Sequence, residues 1–147
     1  MFAVSGSSLT FTGQFGLHGG KVLSGLGYGD QGNAGAAAGE GFFLQGSGSL
    51  LFSPEAGTTQ VISDLITDEV GSNITPPPGY VLGAWGLNLL GPGTLELRAQ
   101  ETYTGPTTVG PGVLRVTQEG STTRSGTQIL FDGTLTGTGA VGRVVSA

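Results

Sequence analysis

The sequence predicts an all-β fold, a right-handed parallel β-helix (β-solenoid) with rungs of about 20 residues and loop excursions. Three observations lead there: short alternating apolar runs bounded by glycine, the return of such runs at rung-sized intervals, and near-complete lack of helical periodicity. Aligning Gly93, Gly112 and Gly133 gives offsets of 19 and 21 residues. Repeats in this size range are the signature of solenoids and arrays, where each unit buries its apolar face only against its neighbours.

The runs follow one another in order. Leu9 and Phe11 alternate within the segment from Ser8 to Thr12, which Gly13 closes, and Gly48 opens a run through Leu50, Leu51 and Phe52 that ends at Pro54. Gly93 to Leu97, Gly112 to Val116 and Gly133 to Thr136 repeat the pattern. Alternation puts Leu95 and Leu97, or Leu114 and Val116, inward, and their neighbours outward. Rungs about 4.8 Å apart then share one core, and each covered leucine contributes about 1.5–3 kcal/mol of burial. Residues 59–70 are the one helical candidate, since Val61, Ile62, Leu65 and Ile66 would share a face. β-Branched residues between Gly57 and Gly71 favour two short strands instead.

Two stretches leave the pattern. Residues 13–41 are rich in glycine and alanine, which predicts a loop or loosely ordered excursion with a linker's composition. Residues 72–80 contain Pro76, Pro77 and Pro78, which cannot donate to a strand ladder, so this is a second loop. Residues 81–90 are expected to return as a buried strand, with Trp85 the largest apolar group. The whole of 1–147 reads as a single solenoid unit.

Composition narrows the function. The chain of 147 residues contains 30 glycines, about three times the usual share. No collagen period exists, and 37% hydrophobic residues are too many for a disordered chain. Net charge is −5, with Lys21, Arg98, Arg115, Arg124 and Arg143 scattered, so nucleic acid and anionic membrane are not expected partners. No apolar run approaches the roughly 20 residues of a membrane helix, so no membrane insertion by this segment is expected. The absence of cysteine fits export through a narrow pore. The start, Met1 to Gly6, lacks a basic, apolar leader, and the chain reads as a fragment with an added Met1.

Candidate chemistry is sparse. Asp30, Asp64, Asp68 and Asp132 are the aspartates, with Asp64 and Asp68 the close pair a polysaccharide-cleaving solenoid would need. They are expected to cap turns at an exposed edge. Asp64, Asp68 and Glu69 are a competing calcium set, but no calcium-loop spacing accompanies them. His18 sits in the glycine-rich loop with no nucleophile elbow to serve. Tyr103 is expected to pack at a corner, the Asn73-Ile74-Thr75 sequon to be incidental, and Gly25, Gly27 and Gly29 to reflect composition alone. No catalytic residue, cofactor or metal is predicted.

One stretch is specific. Gly91-Pro92-Gly93-Thr94-Leu95-Glu96-Leu97, then Glu101-Thr102-Tyr103-Thr104-Gly105, then Thr107 and Val109, then Gly112, Leu114 and Val116 resembles the passenger-associated repeat of bacterial autotransporters. The departures are Ala99, where the repeat has glycine, and Glu101, where it has asparagine; losing Asn weakens a local side-chain cap. The upstream segments around Phe42, Leu50 and Ile62 and the downstream Gly133-Thr134-Leu135 are also similar to such passengers. The resemblance implies a displayed or secreted segment of a Gram-negative outer-membrane protein, with the translocator barrel lying elsewhere. Its repeat residues are Gly93, Thr94, Leu95, Leu97, Thr102, Tyr103, Thr104, Gly105, Val109, Gly112, Leu114 and Val116. The expected role is a structural or display spine, with an adhesin role open and the host or surface ligand unidentified. The alternative is self-association through open solenoid ends into fibres; a polysaccharide-cleaving enzyme is the least favoured reading.

Overall fold

The computed structural model describes residues 2–3, 6–21, 41–117, 119–122, 124–130 and 132–146, and all statements below concern these. Among them the protein is all-β, without a helix, and every strand pairing is parallel. The first sheet runs β1 (Phe2–Ala3), β4 (Phe42–Leu44), β7 (Ile66–Asp68). The second runs β2 (Ser8–Thr12), β5 (Gly48–Ser53), β8 (Trp85–Leu89), β10 (Thr107–Val109), β13 (Thr127–Ile129), β16 (Val144–Ser146). The third runs β3 (Gly16–Leu17), β6 (Thr59–Ile62), β9 (Thr94–Leu97), β11 (Gly112–Val116), β14 (Gly133–Gly137). A two-stranded sheet, β12 (Ser121–Thr122) with β15 (Ala140–Val141), continues from a bridge between Gln100 and Ser121. Successive strands pass to the sheets in turn, an order compatible with a solenoid.

The register stacks like on like. In the third sheet Leu95, Leu114 and Leu135 form one column and Leu17, Ile62, Leu97 and Val116 another. In the second, Leu9, Leu50 and Leu87 form a column, and Phe11, Phe52, Leu89 and Val109 run beside it. Leu50, Phe52, Ile62, Leu87, Leu89, Leu95, Leu97, Val109, Leu114 and Val116 are all buried in one cluster. Phe11 stacks on Phe52 with ring centroids 5.1 Å apart and meets Phe42 edge-on at 5.4 Å, arrangements that add to simple burial. Gly112 pairs with Gly133, and Val113 with Thr94, so the 19- and 21-residue offsets are ladder registers. Outside the third sheet Glu96 lies between Arg98 and Arg115, which cover it.

Glycine is needed where successive layers touch. A Cβ on Gly105 would stand 2.4 Å from the Trp85 carbonyl carbon and oxygen. Gly112 has φ +142°, and a Cβ there would lie 2.3 Å from the Gly91 oxygen. Neither position has room for a side chain.

Residues 59–70 form the two strands β6 and β7, as their β-branched composition implies. Two expectations are corrected. Within 13–41, Gly16–Leu17 form strand β3, held by the Val61 N–H to Phe15 O and the Ser63 N–H to Leu17 O, while Phe15 and Leu17 pack on the core. Residues 22–40, with Gly25, Gly27, Gly29 and Asp30, lie outside the described residues. The strand expected over 81–90 is only β8, with Val81 87% exposed, because Gly83 is bound into the base of the preceding loop. Gln60 follows the same alternation as Ile62 into the interior, opposite Leu95, with its amide donating to Phe11 O and Gly13 O.

Leu114→Ala should lower stability by about 2–5 kcal/mol, because its neighbours above and below cannot both collapse into the space. Val145→Ala, at a position 44% exposed, should change it by less than about 0.5 kcal/mol. Urea unfolding of the two variants checks the contrast.

Candidate functional site

The polar residues of this chain gather where β7 ends. Register places Asp68 opposite Leu44, a core position, and the Asp68 side chain is fully buried. One carboxyl oxygen accepts the Gly71 N–H at 2.7 Å. The other accepts the Trp85 N–H at 3.0 Å, the Thr104 N–H at 2.7 Å and the Thr104 hydroxyl at 2.9 Å. Asp68 therefore joins the chain as it leaves β7, the chain as it enters β8, and the following layer. Burial of such a group is tolerable only because its acceptor sites are filled.

Its neighbours act similarly on other segments. Asp64 accepts the Gly19 and Gly20 N–H groups at 2.7 and 2.8 Å, fixing the chain just after β3. Glu69 accepts the Gly46 N–H at 3.0 Å, the Gly83 N–H at 2.8 Å and the Tyr80 hydroxyl at 2.6 Å. Burial pushes the Glu69 carboxyl up, but the bonds from Tyr80, Gly83, Gly46 and the Gln45 side chain outweigh it and hold the group below its ordinary range. The same bond raises Tyr80.

Glu101 differs. Its Oε2 accepts the Ile66 N–H at 2.5 Å, and its buried Oε1 has no partner. Burial, with Asp64 nearby, drives this carboxyl well above its ordinary value of 4.5, against the single Ile66 bond. Desolvation favours the uncharged form, and one donor is too few to offset it.

The repeat residues lie directly against this corner. The Thr102 N–H donates to Ile66 O and its hydroxyl to the Thr67 hydroxyl at 2.7 Å. Tyr103 is buried, and its hydroxyl joins that of Thr107 at 2.7 Å, which in turn meets the Ser125 hydroxyl at 2.6 Å. Burial raises the Tyr103 hydroxyl further from ionisation. Thr104 binds Asp68, and the Gly105 N–H reaches Trp85 O at 3.0 Å. Leu95, Leu97, Val109, Leu114 and Val116 line the core, Thr94 is half-buried in β9, and Gly93 packs against the Glu55 carbonyl.

Asp64 and Asp68 cap backbone as the sequence implies, but not at an exposed edge. They are 9% and 0% exposed, because the excursion and the next layer cover them. Asp64, Asp68 and Glu69 each point their oxygens at a different set of donors, and among the described residues no group of three His, Cys, Asp or Glu could hold a metal ion. His18 is exposed at the end of β3. Glu69, grouped in sequence with a calcium set, and Glu101, a departure from the repeat, both serve as buried acceptors that the sequence did not assign. The one signal was Glu101 standing where the repeat has asparagine, a cap position it still fills through Ile66.

Asp68→Asn keeps the shape but leaves one oxygen for two sets of donors and turns an NH2 toward the others. We expect about 2–4 kcal/mol of lost stability, read by thermal unfolding. Glu101 predicts a pH effect. Its folded-state pKa is raised, so above about 4.5 the unfolded chain releases a proton that the folded chain keeps. Stability should then fall as pH rises from that point until the folded carboxyl titrates. The Asp64 charge adds to the rise of Glu101, and Glu101 in turn adds to the rise of the Tyr103 hydroxyl. Glu101→Gln should flatten this decline in unfolding midpoints measured from about pH 5 to 8; an unchanged slope would count against the assignment.

Comparison with protein-family models, curated proteins and solved structures gives no match to this chain.

Proposed function

We propose that this chain is a right-handed parallel β-helix serving as a structural spine in the surface-displayed or secreted passenger of a bacterial autotransporter. The observation that carries the reading is the Thr102–Gly105 contact set. Thr102 binds Thr67, Thr104 binds Asp68 and Gly105 closes on Trp85, all in the preceding layer, while Tyr103 binds Thr107 of its own layer, whose hydroxyl meets Ser125 of the following one. A motif used this way fixes one layer on another and leaves no reactive group free. The carboxyl groups that an enzyme would use for acid–base work accept backbone N–H groups instead, which supports a non-catalytic role. Sequential parallel pairing also suits export, since each layer can fold onto the one before it.

A second reading, end-to-end association of copies, has its own observation. The second sheet ends in β2 and β16, where Phe11 is half-buried and Val144 is 45% exposed. Edges of this kind are templates for a further strand.

Fusion to a signal peptide and an outer-membrane translocator in a Gram-negative host tests the first reading. The chain should become accessible to protease on intact cells, and Gly105→Ala, which forces a Cβ into Trp85, should reduce display several-fold. Retention in the periplasm beside a displayed control passenger would count against it. Sedimentation over a range of concentrations tests the second, which a constant monomer would remove.

A further inference from the structure

The excursion from β7 to β8 is fixed at its base and apolar at its surface. Asp68 and Glu69 bind its two ends, and Arg124 donates to Gly71 O at 3.1 Å and Asn73 Oδ1 at 3.3 Å. Yet of the eight large apolar side chains exposed among the described residues, Val70, Ile74, Tyr80 and Val81 belong to it. Apolar groups gathered on a tethered loop mark an interaction site, since little ordering remains to oppose binding.

A cleft of about 270 Å³ opens within this segment. Ile74, Pro76, Pro77 and Tyr80 supply apolar and aromatic walls, and Gln45 and Glu69 are among the polar groups beside them. The Tyr80 ring is 42% exposed, while its hydroxyl is tied to Glu69. Glu69 has no cation partner: ion pairs among the described residues are confined to Glu96 with Arg98 and Arg115. Arg124, the cation that reaches the excursion, is directed at Gly71 and Asn73. Glu69 lines the cleft, and its donors hold its carboxyl in the charged form. The cleft thus combines a carboxylate without a counter-ion, an aromatic face and proline walls. An ammonium on an aliphatic stem has the complementary chemistry, its methylenes against the walls and its charge toward the carboxylate and ring.

We propose that this cleft binds a lysine side chain of an extended peptide partner, with Tyr80, Ile74 and Pro77 along the stem and Glu69 facing the ammonium. The net charge of −5 favours approach of a basic partner. The site belongs to the excursion itself and does not depend on surface display, so failure of either leaves the other standing.

Titration of the full chain with Nα-acetyl-lysine N-methylamide, followed by NMR, tests it. Saturable shifts at Ile74 and Tyr80 are expected, at least about fivefold weaker with the uncharged norleucine analogue and weakened by salt. Glu69→Gln should remove the preference for lysine over norleucine while the unfolding midpoint shows the chain still folded. If that variant does not fold, Tyr80→Ala, which removes the ring at an exposed position, should weaken binding instead. No saturable shift, equal shifts with norleucine, or shifts with methyl glucoside but not lysine would each overturn the proposal.

Discussion

A carboxyl group inside the core holds this chain's layers and its largest described excursion together. Asp68 occupies a position that would ordinarily take a leucine, as its ladder partner Leu44 does. Its four hydrogen bonds come from residues 3, 17 and 36 positions away. Without them, the departure of the chain at Gly71, its return at Trp85 and the seating of Thr104 would be three separate closures, each with its own entropic cost. One acceptor group satisfies all three, and it is protected from water by the same segments it binds. The excursion and the parallel stack are therefore a single cooperative unit at this corner.

Away from that corner the structure relies on repetition. Columns such as Leu95, Leu114 and Leu135 bury the same side-chain type in successive layers, so any one layer is stable only because the next covers it. The core changes character along its length. The column Leu9, Leu50, Leu87 continues as Thr107 and Thr127, and the Thr122 and Thr127 hydroxyls are buried without partners. Tyr103, Thr107 and Ser125 form a hydroxyl chain in the same region. Hydroxyl residues thus take interior positions in the later layers that leucine holds in the earlier ones.

This division explains what could be read from the sequence. The all-β, parallel arrangement was legible, because glycine-bounded alternation and the spacing of Gly93, Gly112 and Gly133 depend on local geometry and register. So was the choice of strands over helix at 59–70, where β-branching decides. The candidate site was legible only in part. Asp64 and Asp68 were visible as turn-capping residues, but their burial depends on Thr104, Trp85 and Gly19 converging from distant segments, which no spacing announces. Val81 departed from its hydropathy for the same reason: the Gly83 bond to Glu69 fixes the backbone that carries it.

Glu69 and Glu101 show what such convergence decides. Both side chains are 2% exposed. Glu69 faces the Tyr80 hydroxyl, two backbone N–H groups and Gln45, and it is held below its ordinary pKa; Glu101 has the Ile66 N–H alone and is pushed well above it. Equal surface exposure thus goes with opposite outcomes, set by how many donors reach the oxygens and by the depth of protein around them. Only the group that stays charged can bind a loop through several strong hydrogen bonds and still present a field to an approaching cation. The placement of donors, rather than the count of acidic residues, makes Glu69 the edge of a cleft and Glu101 a quiet part of the core.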